Sequence, residues 1–499
     1  MGLKFTDESI YQLFGAEAAE SDDPKRLREY YFKGEIYESV TAKLPLRIIV
    51  GHKGIGKSAL VTIAIQEDME SGSIPLLIQP SDITNLKADE ADFNRLIQQW
   101  KIGITEIIVQ KAFALLGIHD DGSGIGKLKM YGGKIASFLT DTVRVYGAPK
   151  QLSDTQRALS KRLIADSSVN VYLDDLDRGW EGTKADIRKM SALLNAARDI
   201  AKDNPTVRFK IALRSDVYFL VRTSDESTDK IEGSVVWYSW TNHEILAMFA
   251  KRIETFFGKT AKEADLVKKS QGELALSLNK IMEGRFLGRG IWSDIPSYRM
   301  LMTLVRKRPR DLVKLCTLAA KSAQKRKVDK IQSQDFQAIF EEYSQGRVQD
   351  TINEYRTELP HLDRLIFGMK PNKREKTAQD AYIYNTDGLL KKLHSVSLQG
   401  KFFFQNGKPA SEKELAGFLY KINFLTARKE LKQGLILRKY FEENRYLSGV
   451  AGEFGFEWEV HPAYRWALQP DDIQSILSNL RPSADEGEAE EMPKNSRAP

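Results

Sequence analysis

The run RIIVGHKGIGKSALVTIA, residues 47–64, constrains this chain more than any other stretch. A β-prone segment, Arg47 to Val50, leads into Gly51; four residues later come Gly56, Lys57 and Ser58, and a helix-compatible stretch follows. Strand, glycine loop and helix in that order are the context a phosphate-binding loop requires. The glycines Gly51, Gly54 and Gly56 let the backbone curl until successive N–H groups point inward, and the helix beyond adds the positive end of its dipole. Lys57 then brings an ammonium to phosphate oxygens, the Ser58 hydroxyl is placed to ligate Mg²⁺, and Ala59 completes the set expected to contact nucleotide.

A second segment supplies what a phosphate loop lacks by itself. In VNVYLDDLDRGW, residues 169–180, an apolar strand runs directly into carboxylates. Such a strand end delivers negative charge to a metal and to water. Asp174 is the expected Mg²⁺ contact, through water. Asp175 is the leading candidate to polarise an attacking water, and Asp177 stands next to it in that role. The alternative is a solvated acidic turn. Two further strands are expected: IPLLI at residues 74–78, with Pro75 tolerated near its start, and RFKIAL at residues 208–213. The latter delivers Arg214 and Asp216 at its end, where a cation could sense a terminal phosphate or merely lie on the surface.

Helical spacing of Leu96, Ile97, Trp100, Ile104, Ile107 and Ile108 predicts a core helix over Phe93–Leu116. Ile10, Leu13 and Phe14 predict a short helix packed on the nucleotide core, and Tyr30, Tyr31 and Phe32 read as core rings that could alternatively meet a base. Thr241 and Glu244 have capping-box spacing, and the core is expected to close near Gly258. From there to Gly346 the pattern is helical. It contains Arg306, Arg308, Pro309, Arg310 and Asp311, with Pro309 suited to a helix start. A cation at the positive end of a helix is badly placed unless an anion is near. For Arg310 that anion would be a nucleotide phosphate or an acidic neighbour such as Asp311. A second glycine cluster, Gly122, Gly124, Gly126 and Lys127, has no strand before it and reads as a loop.

Beyond residue 347, Ser411 to Phe424 reads as a helix followed by hairpin-like segments, the pattern of a winged helix. Lys370, Lys373, Arg374, Lys376, Lys391 and Lys392 could meet nucleic-acid phosphates or form a solvated basic face. After Arg481 no apolar periodicity remains, and disorder is expected. A net charge of +7 in 499 residues permits nucleic-acid binding without requiring it. The single cysteine, Cys316, excludes a disulfide framework and fits a cytoplasmic setting. No apolar run approaches a membrane span.

Taken together, GHKGIGKS, VYLDDLDRGW, IALRSD and RKRPRDLVKL resemble a family of bacterial P-loop ATPases related to the KAP and STAND ATPases, over about residues 14–468. The resemblance implies an α/β fold: an additional-strand, AAA/STAND-like P-loop NTPase core over residues 44–258 after an N-terminal helical segment, residues 1–43. A helical lid over 259–346, a winged-helix-like α+β region over 347–480 and a disordered tail over 481–499 would complete it. It further implies ATP and Mg²⁺ as cofactors, with Lys57 and Ser58 on phosphate and metal, Asp174 and Asp175 as the acidic pair, Arg214 as strand-end sensor and Arg310 as lid arginine. An ATP-hydrolysing switch is expected, one that forms a homo-oligomer and controls a separate effector protein in anti-phage defence. The alternative is a nucleotide-gated DNA-binding protein of initiator or mobile-element type.

Overall fold

The structure, a computed structural model, describes residues 3–16, 22–71, 73–84, 86, 92–116, 135, 139, 168–224, 226–373, 375, 381–431, 434–448, 455–469 and 473–485. The second glycine cluster, Arg374 and Lys376 lie outside these. Internal contacts divide the chain into two units: Lys33–Lys53 with Lys57–Tyr238, and Met1–Phe32 with Gly54–Gly56 and Ser239–Pro499. The division therefore falls before the capped helix that begins after Thr241, and not behind it at Gly258. The chain enters on α1 (Asp7–Phe14), which belongs to the larger unit.

The smaller unit is built on five strands: β1 (Leu46–Gly51), β2 (Ile74–Ile78), β3 (Val169–Leu173), β4 (Val207–Arg214) and β5 (Val235–Trp237). Their order is β2-β3-β4-β1-β5, and every pairing is parallel. Parallel strands covered on both faces read as near-continuous apolar runs, and β3 is buried at every residue. Pro75 is accommodated because β2 is an edge strand. Helix α2 (Lys57–Ser71) follows the glycine loop, while α3 (Phe93–Leu116) and α4 (Lys184–Asp203) pack against each other. Leu96, Trp100, Ile104 and Ile108 of α3 share one core with Leu193 and Ala197 of α4, and Ile97 packs at its margin. Because β4 lies between β1 and β3, the strand carrying the loop and the strand carrying the acids are separated by one. This is the additional-strand arrangement of a P-loop NTPase core, and the fold is α/β.

In the larger unit α1 packs with α6 (Asn242–Phe256) and α7 (Pro309–Arg326), and Phe14 stacks on Phe249 with ring centroids 6.0 Å apart. The apolar face of α1 is therefore spent on α7 and on α6, a helix that the sequence reading put inside the 44–258 core. Tyr30, Tyr31 and Phe32 are buried. Helix α8 (Ser333–Tyr355) packs on α7 and runs unbroken through Gly346, so the lid boundary expected there falls inside a helix.

Beyond it come α9 (Leu362–Gly368), β6 (Ile383–Tyr384), α10 (Thr386–Ser397), α11 (Glu412–Lys421), β7 (Leu425–Glu430), β8 (Ile436–Lys439) and β9 (Glu457–Val460). The strands form an antiparallel sheet of order β8-β7-β9-β6. Residues just past Arg481 are ordered: Ser483 donates its N–H to Thr303 Oγ1 at 2.9 Å, and Ala484 donates to the Ile436 carbonyl. No helix among the described residues is long and apolar enough to cross a membrane.

Two buried charge networks hold this unit. Asp311 accepts from Arg306 Nε at 2.7 Å and Arg347 Nη1 at 2.6 Å, while Arg306 also reaches Thr351 and Tyr464. Glu459 accepts from both Arg438 and Arg465. Burial alone would raise these carboxyls. The Arg306 and Arg347 charges override it at Asp311, and those of Arg438 and Arg465 hold Glu459 down from 4.5 to about 2. A carboxyl depressed in the folded state stabilises fully above its unfolded value and loses that contribution as pH falls. The urea midpoint should accordingly drop between about pH 4.5 and about pH 2, and Glu459→Gln should flatten that slope. Asp311→Asn, which strands two buried guanidinium groups, should cost about 3–5 kcal/mol of unfolding free energy.

Candidate functional site

The register of β1 against β4 sets the site. Gly51, the last residue of β1, pairs with Arg214, the last residue of β4, and Leu173 at the end of β3 pairs with Ile211. Glycine loop, strand-end arginine and acidic turn thus leave one edge of the sheet side by side. That is the carboxyl edge, where ligands bind in open α/β sheets.

Gly54 and Gly56 adopt φ of 79° and 105°, a region that suits glycine and closes the loop tightly. Lys57 folds back across the loop, its Nζ donating to the Gly51 carbonyl at 2.8 Å and the His52 carbonyl at 3.1 Å. Ser58 and Ala59 sit in the first turn of α2, which carries no acidic residue to oppose an anion. His52 is buried and hydrogen-bonded through Nδ1 to Ser215 Oγ at 2.9 Å, which ties the loop to the start of α5 (Ser215–Ser224).

The acidic turn separates its carboxylates. Asp174 follows directly on β3, its N–H bonded to the Ile78 carbonyl. Asp175 has φ 59°, and its side chain is 40% exposed in an ion pair with Arg178 at 2.5 Å. Asp177 is turned inward, 7% exposed. Its Oδ2 lies 3.1 Å from Arg214 Nε yet accepts no hydrogen bond, because Arg214 gives its fork to Asp216, Nε to Oδ1 at 3.0 Å and Nη2 to Oδ2 at 2.6 Å. Burial pushes the Asp177 carboxyl up, and the charges of Arg214 and Lys57 pull against that. Asp216 is wholly buried and fixes where Arg214 points.

The residues fit a nucleoside triphosphate with Mg²⁺. The loop is glycine-lined, an ammonium and a guanidinium flank it, and a hydroxyl with carboxylates supplies hard oxygen donors. No cluster of three or more metal-ligating side chains occurs among the described residues. Mg²⁺ would therefore take Ser58, the Asp174 region and phosphate oxygens.

Arg310 is described within the larger unit, together with the loop tip Gly54–Gly56. Its backbone N–H approaches the Gly54 carbonyl at 3.4 Å, and Trp240 Nε1 donates to the Ile55 carbonyl at 2.8 Å. The acidic neighbour suggested as its counter-ion is already engaged: Asp311 is committed to Arg306 and Arg347. Arg310 Nε is buried without a hydrogen-bond partner, and no ion pair engages this side chain among the described residues. Arg306 and Arg308 serve internal pairs instead, with Asp311 and Glu354.

At the opposite edge of the sheet a cavity of about 480 Å³ is lined by Lys43, Asp68, Ser73, Asn170 and Arg208 among others. The structure brings the loop, the acidic turn and Arg214 that the sequence singled out to one sheet edge, with His52, Ser215 and the orienting part of Asp216 that the sequence did not point to. Only Asp216, two residues past the arginine at a helix start, left a signal.

Comparison with known proteins places a family model, the FunZ-associated C-terminal helical domain, on residues 244–352. The chain is 23% identical over 335 residues to the "Putative transposon gamma-delta 80.3 kDa protein" of Escherichia coli (strain K12). That alignment covers 62% of this chain and 43% of the relative, so the chain spans less than half the relative's length. Among solved structures it is similar to the ORC2 protein of Aeropyrum pernix, with 14% identity, TM-score 0.39 and coverage of 84% of this chain and 92% of that one. It is also similar to the RuvB Holliday junction branch migration motor of Thermotoga maritima, with 12% identity, TM-score 0.32 and coverage of 84% and 95%.

A Cβ at Gly54 would stand 2.8 Å from Arg310 Cδ, and the left-handed backbone adds strain. Gly54→Ala should lower the unfolding free energy by about 1–2 kcal/mol from the backbone alone. The decrease should exceed that of Gly258→Ala, where φ is 72° but the space is open. Urea denaturation of both variants checks the difference.

Proposed function

We propose that this chain is a Mg²⁺-dependent ATPase that works as a nucleotide-controlled switch on nucleic acid, of initiator or mobile-element type. The observation that carries the ATPase reading is the Gly51–Arg214 register, which sets a glycine loop beside a strand-end cation with the acidic turn one strand away. Mg²⁺, when bound, would neutralise charge on the terminal phosphates. Lys57 exchanges the Gly51 and His52 carbonyls for phosphate oxygens.

Asp175 is the group that polarises the attacking water. It stands at the open edge, restrained by an exposed ion pair worth about 0–1 kcal/mol. Asp177 is a positioning residue: it is buried beside Arg214 and close enough to Lys57 to feel its charge. Arg214, oriented by Asp216, meets the terminal phosphate, and departure of that phosphate frees the cation. Arg310, with its buried and unpartnered Nε, is the second cation assigned to phosphate.

The mobile-element setting is supported by the relative named as a transposon protein. The anti-phage setting expected from the resemblance gains nothing from these comparisons.

Lys57→Ala should abolish turnover by abolishing nucleotide affinity. Asp175→Asn should lower kcat by about 10²–10⁴-fold with binding retained. Asp177→Asn should act mainly on KM. Phosphate-release kinetics paired with equilibrium binding of a labelled ATP separates the three. Wild-type turnover in both Lys57→Ala and Asp175→Asn would overturn the assignment.

A further inference from the structure

The surface around the end of α9 and the end of α10 combines exposed apolar side chains, two of them rings, with cations unpaired among the described residues. Phe367 is 51% exposed, Leu398 75% and Phe403 45%. They are brought together by the interactions that join these segments. On α9, Arg364 donates to the Lys401 carbonyl at 3.1 Å and lies 4.0 Å over the Phe402 ring, and a Cβ on Gly368 would stand 2.6 Å from Val396 Cγ1. Arg364 and Gly368 are one turn apart, so both face the end of α10, and Phe367 projects beside them. Phe402 is buried while Phe403 faces out, the alternation of an extended strand, here bridged to Pro409.

Lys370, Lys373, Lys391 and Lys401 lie on or just beyond these same segments, all exposed and without an ion pair among the described residues. Lys392 is different: it is spent on Glu375 at 2.8 Å and the Lys370 carbonyl at 2.9 Å, which removes it from the candidates for phosphate and locks the two segments together.

We infer that this α9–α10 surface binds single-stranded nucleic acid, with Phe367 and Phe403 as stacking platforms and Lys370, Lys373, Lys391 and Lys401 on the backbone. The inference rests on the nucleic-acid part of the proposed function and gives it a place and a strand preference. Exposed rings can stack on the bases of a single strand while lysines meet its phosphates, whereas bases stacked within a duplex offer no face to a ring. The helix of the helix-and-hairpin unit, α11, does not compete for this role. Its first turn carries Glu412 and Glu414, and its Lys421 is held by Glu358. A helix entering a duplex groove with carboxylates leading would meet phosphate repulsion.

The test is fluorescence anisotropy on the full chain at low salt, with labelled oligothymidylate and a blunt duplex of the same length. Oligothymidylate should bind more tightly. Phe367→Ala and Phe403→Ala should each weaken it on the order of ten-fold. Lys370→Glu with Lys391→Glu should reduce the slope of log K against log salt by about 0.7 for each phosphate no longer neutralised. All four residues are exposed, so the variants should keep the wild-type melting midpoint and ATP turnover. Equal or tighter duplex binding overturns the inference, as does wild-type affinity in the phenylalanine variants; in the latter case the proposed function survives with its surface elsewhere. If the wild-type chain binds neither probe while hydrolysing ATP, both the surface and the nucleic-acid reading fall. Weakened self-association in these variants, with no nucleic-acid binding, would assign the patch to protein contact and overturn the inference as well.

Discussion

The pairing of β1 with β4 is the constraint on which the rest depends. One register places Gly51 against Arg214, and a slip of a single residue would turn every side chain of β4 to the other face. Burial prevents that slip, since Phe209, Ile211 and Leu213 are wholly buried on one side and Ala212 is buried on the other. The arginine therefore reaches the loop because the strand beneath it cannot move. Asp216, buried at the start of the following helix, then takes both arms of the guanidinium and leaves Asp177 close without a hydrogen bond. Core packing fixes the cation, and the cation fixes the electrostatics of the acidic turn.

Charge is handled in two ways in this molecule. In the larger unit it is matched internally: Arg306 and Arg347 on Asp311, Arg308 on Glu354, Arg438 and Arg465 on Glu459. Buried pairs of this kind contribute little net stability but are costly to break, which makes them well suited to holding one arrangement. Arg310 stands in the same motif and is left out of that matching. At the sheet edge of the smaller unit, Asp175 pairs with an exposed arginine and Lys57 donates to neutral carbonyls. Lys57 and Asp175, held by such exchangeable interactions, are assigned to phosphate and to water, whereas Arg214 is held in place for phosphate by buried Asp216.

The parallel core was legible in the sequence because its strands are short apolar runs that end in chemistry: Val50 before the glycine loop, Leu173 before Asp174, Leu213 before Arg214. Period and context were enough there. What could not be read was which side chains pair across distance. Asp175 and Asp177 are equivalent in composition, and only a left-handed turn at Asp175 sends one outward and the other in. RKRPRD reads as one basic run, yet two of its arginines are buried structural members. Gly346 stood at the expected end of the helical lid, yet α8 runs on through it to Tyr355. The face of α1 showed that it must be covered without showing by what.

The most direct measurement of the central claim is a crystal structure of the full chain with Mg²⁺ and a non-hydrolysable ATP analogue. Phosphates lying along the amides of Gly54 to Ser58, with Lys57 Nζ moved from the Gly51 and His52 carbonyls onto phosphate oxygen, are the expected result. A nucleotide seated elsewhere, such as in the cavity beside Asp68 and Asn170, with Lys57 still bonded to those carbonyls, would contradict it.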